Sequence, residues 1–223
     1  GTKIVRTWAL QAQMNPHFIF NCLSSIQSLY VLGESSRANE YMSQFSALLR
    51  IILEHSQKSH ISLKEDLDMF NVYIPLEGLQ FDKPFEYTLE VSEGIDPPNV
   101  FIPSMVTHTF VENAIKHGLK PLKNKLGKLE IKVDQTDNHI VLTIKDNGVG
   151  YERSLLTKKM NRSRHKSRGL DITSKRIDLL NLLNDLDIQL ITTNLKDENG
   201  GSAGTQIELF FPIIKNYEDT YSR

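Results

Sequence analysis

Apolar residues recur at helical spacing over the first sixty or so residues of the chain. From about Lys3 to Leu32 they fall within roughly one third of an ideal helical wheel. From about Arg37 to Ser56 they recur every three or four positions, after a turn at Gly33. This spacing predicts an antiparallel helical hairpin. Because two helices cannot bury both apolar stripes, we expect the hairpin to dimerise as a four-helix bundle.

The pattern changes after residue 60. Ser62 and Glu65 form a capping box that opens a third helix. This helix should last until about Leu79 and kink at Pro75. Beyond this helix, several stretches are rich in strand-forming residues. Turn residues flank each of these stretches, and helical segments lie between them. The strands are expected at Phe85–Val91, Lys128–Gln135, His139–Lys145, Asp187–Thr193 and Thr205–Phe211, and the helices at about Ser104–Gly118 and Leu170–Asn184. This order predicts an α+β chain whose second part is an α/β sandwich, one mixed sheet with helices on one face.

Composition is that of an ordinary globular protein, with 39% apolar and 24% charged residues. The net charge of −1 provides no field that would attract nucleic acid, so no nucleic-acid partner is expected. The single cysteine, Cys22, excludes an internal disulfide and a zinc site built from cysteines. No apolar run reaches 18 residues, so no membrane span is expected, and the start at Gly1 indicates a fragment of a longer protein.

The helix predicted over Ser104–Gly118 has one apolar and one polar side. The apolar side comprises Phe110, Val111, Ala114 and Ile115. Glu112, Asn113, Lys116 and His117 share the other side, within an arc of roughly 140°. A carboxylate, an amide oxygen, an ammonium group and an imidazole together suit Mg²⁺ and a polyphosphate. A solvated face of an amphipathic helix is the alternative.

A carboxylate stands at the end of the strand predicted over His139–Lys145. Asp146 is followed by Asn147, Gly148, Val149 and Gly150. Such a carboxylate can accept a hydrogen bond from an amino group that lies against bare backbone. The same residues also form ordinary turns, but here they follow the Glu112–Asn113 pair by about 30 residues.

The first predicted helix presents one histidine on its polar side. His17 lies opposite the centre of the apolar stripe, with Gln13 and Asn21 beside it. An exposed neutral imidazole can accept a phosphoryl group. Pro16 inside a helix costs about 3 kcal/mol, and its place next to His17 indicates a functional bend.

Four segments, in this order, resemble the nucleotide-binding boxes of the histidine-kinase-type (GHKL) ATPases. They are Glu112–Asn113 with His117 (the N box), Asp146–Gly150 (the first glycine box), Ser167–Leu170 (the second glycine box) and Gly204–Thr205 (the final box). The second glycine box departs from the family pattern, because Gly169 is its only glycine. The basic segment Lys158–Arg168 before it is interpreted as a lid over the phosphates, with a solvated basic loop as the alternative.

The resemblance implies ATP and Mg²⁺ as cofactors. Asp146 would bind the adenine amino group, and Asn113 would be the Mg²⁺ ligand. Glu112 would be the candidate general base, and Lys116 or His117 would contact the phosphates. The other nucleotide-binding positions would be Gly148, Gly150, Arg168, Gly169, Leu170, Gly204 and Thr205.

The segment Gln13–Asn21 resembles the phosphoacceptor box of the LytS/YehU-type sensor histidine kinases, Gln-x-x-Pro-His-Phe-x-x-Asn. The resemblance implies autophosphorylation on His17, followed by transfer to an aspartate of a response regulator receiver domain. It implies a dimerisation and acceptor region over residues 1–61, an ATP-binding domain over 62–215 and a tail over 216–223.

By the same resemblance the chain would be the cytoplasmic part of a membrane sensor, attached to the membrane only through missing upstream segments. It would act as a homodimer through the helical hairpin. Two alternatives stay open: a GHKL-type ATPase that only hydrolyses ATP, and a dimeric nucleotide-binding scaffold without histidine kinase activity.

Overall fold

The structure is a computed structural model that describes residues 16–81, 83–150, 177–179, 181–182 and 187–213. Several predictions fall outside these residues: the first helix before Pro16, the basic lid segment, the second glycine box and the C-terminal tail. Arg168, Gly169 and Leu170 are therefore among the residues not described. The chain divides into two compact units, one formed by Gly1–Pro84 with Pro97–His108 and the other by Phe85–Asp96 with Thr109–Arg223.

The first unit contains the predicted helical hairpin. Helix α1 is described over Pro16–Val31, and helix α2 spans Ser35–Gln57 and packs against it. Their buried side chains are Phe18, Cys22, Ile26, Ala38, Phe45, Leu48 and Ile52. At the end of α1, Gly33 has a φ of 78°, and the amide of Glu34 donates to the carbonyl of Leu29 over 2.9 Å. This is a Schellman ending, which reverses the chain and thereby allows the short turn that the sequence predicted.

Helix α3 (Leu63–Gly78) begins at the predicted capping box. The Ser62 hydroxyl accepts from the Glu65 amide over 3.1 Å, and a Glu65 carboxylate oxygen accepts from the Ser62 amide over 2.7 Å. The helix continues through Pro75. Strand β1 (His60–Ser62) pairs antiparallel with β3 (Phe101–Pro103) as a small sheet that the sequence analysis did not predict.

A buried carboxyl group lies in the core of the first unit. Asp66 on α3 is fully buried, and the Thr107 hydroxyl lies 2.8 Å from each of its two oxygens. Burial raises the pKa of Asp66 to about 7, although the hydrogen bond from Thr107 acts in the opposite direction. The folded chain therefore holds this proton at pH values where an unfolded aspartate, with a pKa of about 3.9, has lost it.

Asp66 should make the folded state less stable as the pH rises from about 4 to about 7, by at most about 1.4 kcal/mol per pH unit. Asp66→Asn stays neutral, so its stability relative to the wild type should increase with pH over this window. Urea unfolding at pH 5 and pH 8 measures the effect. Asp68→Asn on the exposed side of α3 is the control. Equal pH dependence in both variants would contradict the assignment.

The second unit is a mixed five-stranded sheet, as predicted. Its strands are β2 (Glu86–Val91), β4 (Lys128–Gln135), β5 (His139–Asp146), β6 (Gln189–Lys196) and β7 (Ser202–Pro212), in the spatial order β2-β4-β5-β7-β6. The β2–β4 pair is parallel and the other pairs are antiparallel. Alternate residues of the three central strands are buried, which gives the sheet one apolar face.

A helix lies against the central strands of this sheet. Helix α4 (His108–Asn113) continues as a π-helix (Ala114–Leu119), which contacts β4, β5 and β7. The predicted start at Ser104 is wrong, because helix α4 begins four residues later. Residues 177–179 and 181–182 are helical, in agreement with the last predicted helix. The predicted fold class, α+β with a helical hairpin followed by a mixed sheet, is confirmed.

Candidate nucleotide site and phosphoacceptor helix

Asp146 occupies a buried position at the end of β5. Its backbone pairs with Leu129 on one side and with Thr205 on the other, and its carboxylate accepts from the Gly148 amide over 2.8 Å. The side chain is 4% exposed, and this burial raises the pKa of Asp146 to about 6, while backbone hydrogen bonds from Gly148 and Thr205 act to lower it. Asp146 is thus mostly ionised at neutral pH and can accept a hydrogen bond from an amino group.

Glycines surround Asp146 because the backbone approaches it closely from three directions. A Cβ atom on Gly118 would lie 2.5 Å from the Asp146 carboxylate, and one on Gly148 would lie 2.2 Å from the Gly118 carbonyl. Gly204 has a φ of 129°, and its Cβ atom would lie 1.9 Å from the Asp146 carbonyl. The π-helix end, the turn after β5 and the start of β7 therefore meet at this carboxylate.

The structure thus brings several predicted site residues together at one corner of the sheet. These are Asp146, Gly148, Gly150, Gly204 and Thr205. The Ser202 hydroxyl near Gly150 donates to the Val149 carbonyl over 2.8 Å and thereby ties the glycine turn to β7.

Two residues of this corner, Gly118 and Asn147, were not among the predicted site residues. Gly118 directly follows the predicted Lys116–His117 pair, and that adjacency was the available signal. Asn147 holds the turn in place, since its oxygen accepts from the Lys128 amide over 2.7 Å and its nitrogen donates to the Leu126 carbonyl over 2.9 Å. The Asn147 amide therefore braces the loop before β4 against the turn that carries Gly148.

The N-box residues lie on α4 and the π-helix, as the wheel predicted. The apolar residues Phe110, Val111, Ala114 and Ile115 are buried. Glu112, Asn113 and Lys116 are half-buried, and His117 is exposed. The Lys116 ammonium lies 2.5 Å from the Glu112 carboxylate, and both side chains are about one sixth exposed. The candidate base is therefore ion-paired with the candidate phosphate contact.

His17 is exposed on α1, whereas its neighbour Phe18 is buried and contacts Tyr73 of α3 with a ring-centroid distance of 5.3 Å. Phe18 anchors the helix, and His17, about 100° away around the helix axis, stays exposed. The Asn21 side-chain nitrogen lies 2.9 Å from His17 Nδ1 and 3.0 Å from the Gln80 side-chain oxygen. Gln80 was not among the predicted residues. Gln13 lies outside the described residues.

Comparison with known proteins defines the class. Residues 103–215, about half of the chain, match the family model described as "Histidine kinase-, DNA gyrase B-, and HSP90-like ATPase", and residues 5–85 match the one described as "Histidine kinase". The chain belongs to the histidine kinase-, DNA gyrase B- and HSP90-like ATPase family. The predicted GHKL-type ATPase domain is confirmed, and ATP is the nucleotide that this domain type implies.

Individual relatives are named as a sensor protein and as a sensor histidine kinase. The sensor protein LytS of Oceanobacillus iheyensis is 30% identical over 207 residues, which cover 91% of this chain and 34% of that protein. The sensor histidine kinase YpdA of Escherichia coli is 32% identical over 148 residues, which cover 66% of this chain and 25% of that protein. The chain thus spans about a third or less of these relatives.

A solved histidine kinase domain from Erythrobacter litoralis EL346 blue-light activated histidine kinase aligns over 96% of this chain and 96% of that chain, with a TM-score of 0.47 and 14% identity.

In the part of this chain that the structure describes, no helix has the length and hydropathy of a membrane span.

Proposed function

We propose that the chain is the core of a sensor histidine kinase that transfers the γ-phosphoryl group of ATP to His17. The observation that carries this proposal is an exposed histidine in a Pro-His-Phe segment, hydrogen-bonded to Asn21, on a chain that also contains a domain of this ATPase family. His17 then passes the phosphoryl group to an aspartate of a response regulator receiver domain. The LytS and YpdA similarity supports this assignment.

The adenine base is bound at the buried corner around Asp146. The Asp146 carboxylate accepts from the adenine amino group, while the absence of side chains at Gly118 and Gly148 leaves bare backbone beside it. The final box, Gly204–Thr205, borders the same carboxylate. Burial strengthens this recognition, because a hydrogen bond to a charged acceptor is stronger when water is excluded.

The phosphates and Mg²⁺ are bound by the N box. Asn113 offers an amide oxygen and Glu112 a carboxylate, and these hard oxygen donors fit Mg²⁺, which takes one or two protein ligands together with phosphate oxygens. Mg²⁺, when bound, neutralises charge on the phosphates. Lys116 leaves Glu112 to contact a phosphate oxygen, which frees Glu112 to act as the candidate base, and His117 is a second phosphate contact.

The remaining parts of the proposal concern assembly. The acceptor region covers residues 1–61, the ATP-binding domain 62–215 and a tail 216–223. The hairpin forms a homodimer, supported by large apolar side chains that are partly or largely exposed on it: Leu23, Tyr30, Met42, Leu49 and Leu53. The full-length protein is a membrane sensor whose catalytic part is cytoplasmic.

Asn113→Ala should lower the phosphorylation rate at least about tenfold and change ATP affinity much less. The reason is that the metal ligand organises the phosphates for transfer, whereas the adenine corner stays intact. Initial rates of phosphate incorporation from γ-labelled ATP and calorimetric Kd values for ATP, measured on the same samples, test this prediction.

The matched control for Asn113→Ala is Asn138→Ala, in the exposed turn between β4 and β5 at the end of the sheet away from Asp146. It should leave both quantities unchanged. Equal losses of rate and affinity in Asn113→Ala would remove the metal assignment.

A further inference from the structure

Side chains of helix α1 contact Gln80, which follows the end of α3. Asn21 Nδ2 lies 2.9 Å from His17 Nδ1 and 3.0 Å from Gln80 Oε1, and Gln80 Nε2 lies 4.0 Å from Cys22 Sγ. Gln80 follows α3 by two residues, and its backbone amide donates to the Glu77 carbonyl over 3.1 Å. Gln80, which is 59 residues from Asn21 in sequence, therefore connects the helix that carries His17 to the end of α3.

The same Asn21 atom makes both contacts. Whichever end of the Asn21 amide faces His17 must therefore also face Gln80. When Asn21 presents its nitrogen, His17 Nδ1 and Gln80 Oε1 both accept from it. When Asn21 presents its oxygen, His17 Nδ1–H and Gln80 Nε2–H both donate to it, which an amide oxygen with two lone pairs can accept. For both hydrogen bonds to be kept, the amides of Asn21 and Gln80 must therefore be reversed together.

The two arrangements place the ring proton of a neutral His17 on different nitrogens. With Asn21 as donor, Nδ1 accepts and the proton is on Nε2. With Asn21 as acceptor, Nδ1 carries the proton and Nε2 has the lone pair. Only a nitrogen with a lone pair can attack phosphorus, and Nδ1 is covered by Asn21 in both arrangements.

We propose that Gln80 is a positioning residue for His17, which acts through Asn21 to set the ring nitrogen that reacts. This proposal rests on the proposed function. The structure records the Asn21 nitrogen facing His17 and Gln80, so in the reactive arrangement both amides are turned over from that orientation. The Nε2 lone pair then forms the bond to the γ-phosphorus, and the bond from that phosphorus to the bridging oxygen breaks. ADP leaves with the electron pair of that bond. The Nδ1 proton stays hydrogen-bonded to the Asn21 oxygen during this step, so the candidate base takes it only after the bond to phosphorus has formed.

Two opposite substitutions at residue 80 separate the arrangements. Gln80→Glu can only accept, so it should keep Asn21 as donor and place the His17 proton on Nε2. Gln80→Arg can only donate, so the Asn21 oxygen should turn toward residue 80 and His17. The His17 proton should then be on Nδ1. Asn21→Asp, which can only accept, should also give the Nδ1–H form and provides a second site should the changes at Gln80 affect folding.

The test is ¹⁵N NMR of ring-labelled histidine in the full chain, without nucleotide, at pH 8.5, where ordinary histidines are neutral. Pyridine-type and pyrrole-type nitrogens resonate at well-separated shifts, and His17→Gln identifies the His17 signals among the seven histidines. The rate at which phosphate from γ-labelled Mg-ATP is incorporated into the chain is measured at the same pH. Gln27→Glu and Gln27→Arg, at an exposed position of α1, are the charge controls.

We expect opposite His17 tautomers in the two Gln80 variants, labelling at least about tenfold slower in Gln80→Glu than in Gln80→Arg, and no difference between the Gln27 variants. The same tautomer and the same rate in both Gln80 variants, with a wild type that labels, would overturn the role of Gln80 and leave the proposed function intact. Opposite tautomers with no labelling of any variant or of the wild type would support control of the His17 tautomer by residue 80 and contradict the proposed function.

Discussion

Replacing His17 with glutamine should abolish the incorporation of phosphate from γ-labelled ATP into the chain. Wild-type label should be lost in acid and retained in base, because a phosphorus–nitrogen bond behaves in this way and a serine ester does not. The nitrogen that accepts the phosphoryl group has no equivalent in a glutamine amide. The expected effect is a complete loss rather than a reduced rate.

The fold and the ATP affinity should survive this substitution. His17 is exposed, and substitutions at exposed positions usually change stability by less than about 0.5 kcal/mol. Thermal unfolding and a nucleotide titration of His17→Gln provide these controls. Acid-labile label that persists in His17→Gln would mean that another residue is the acceptor.

Asp146→Asn should weaken ATP binding roughly 10- to 150-fold, because losing a hydrogen bond to a charged group costs about 1.5–3 kcal/mol. The amide introduced by this substitution can also turn its NH₂ group toward the adenine amino group, which would place two donors against each other. Gly118→Ala should act in the same direction, since its Cβ atom would meet the Asp146 carboxylate at 2.5 Å. Calorimetric titration with ATP measures both.

Asp137→Asn is the matched control for Asp146→Asn. Asp137 is exposed in the turn between β4 and β5, at the opposite end of β5 from Asp146, so its loss should leave affinity unchanged. ATP affinity that is the same in Asp146→Asn as in the wild type would show that the adenine base is not bound by this carboxylate.

The elements that the sequence predicted well are those with a long periodic pattern. The two hairpin helices, the capped helix α3 and the five strands of the large sheet were all recognisable from spacing and turn residues. The polar side of the N-box helix was also predicted, because Glu112 and Lys116 are one turn apart on the same face.

The start of α4 could not be predicted, because contacts from distant segments determine it. Met105, a good helix former, has a φ of 63°, which prevents helix at that position. Its neighbours are held by α2 and α3: the Ser104 hydroxyl donates to the His55 carbonyl over 2.7 Å, and Thr107 donates to Asp66. No local pattern in the sequence signals these bonds.

The same limit applies to parts of the candidate site. The close approach of Gly118 to Asp146 depends on how the π-helix lies against β5, and the contact between Gln80 and Asn21 joins residues 59 positions apart. The short strands β1 and β3 have three residues each, too few to show alternation. Motifs therefore indicated the candidate chemistry, whereas the residues that support the candidate site became visible only in the folded chain.

The most direct test of the central claim is to locate the phosphoryl group on the wild-type chain. The protein is incubated with Mg-ATP, digested at neutral to basic pH, and the modified residue is identified by fragmentation mass spectrometry. We predict phosphohistidine at His17. A phosphoryl group on another residue, or release of inorganic phosphate from ATP with an unmodified chain, would contradict the claim, and the second result would favour an ATPase that only hydrolyses.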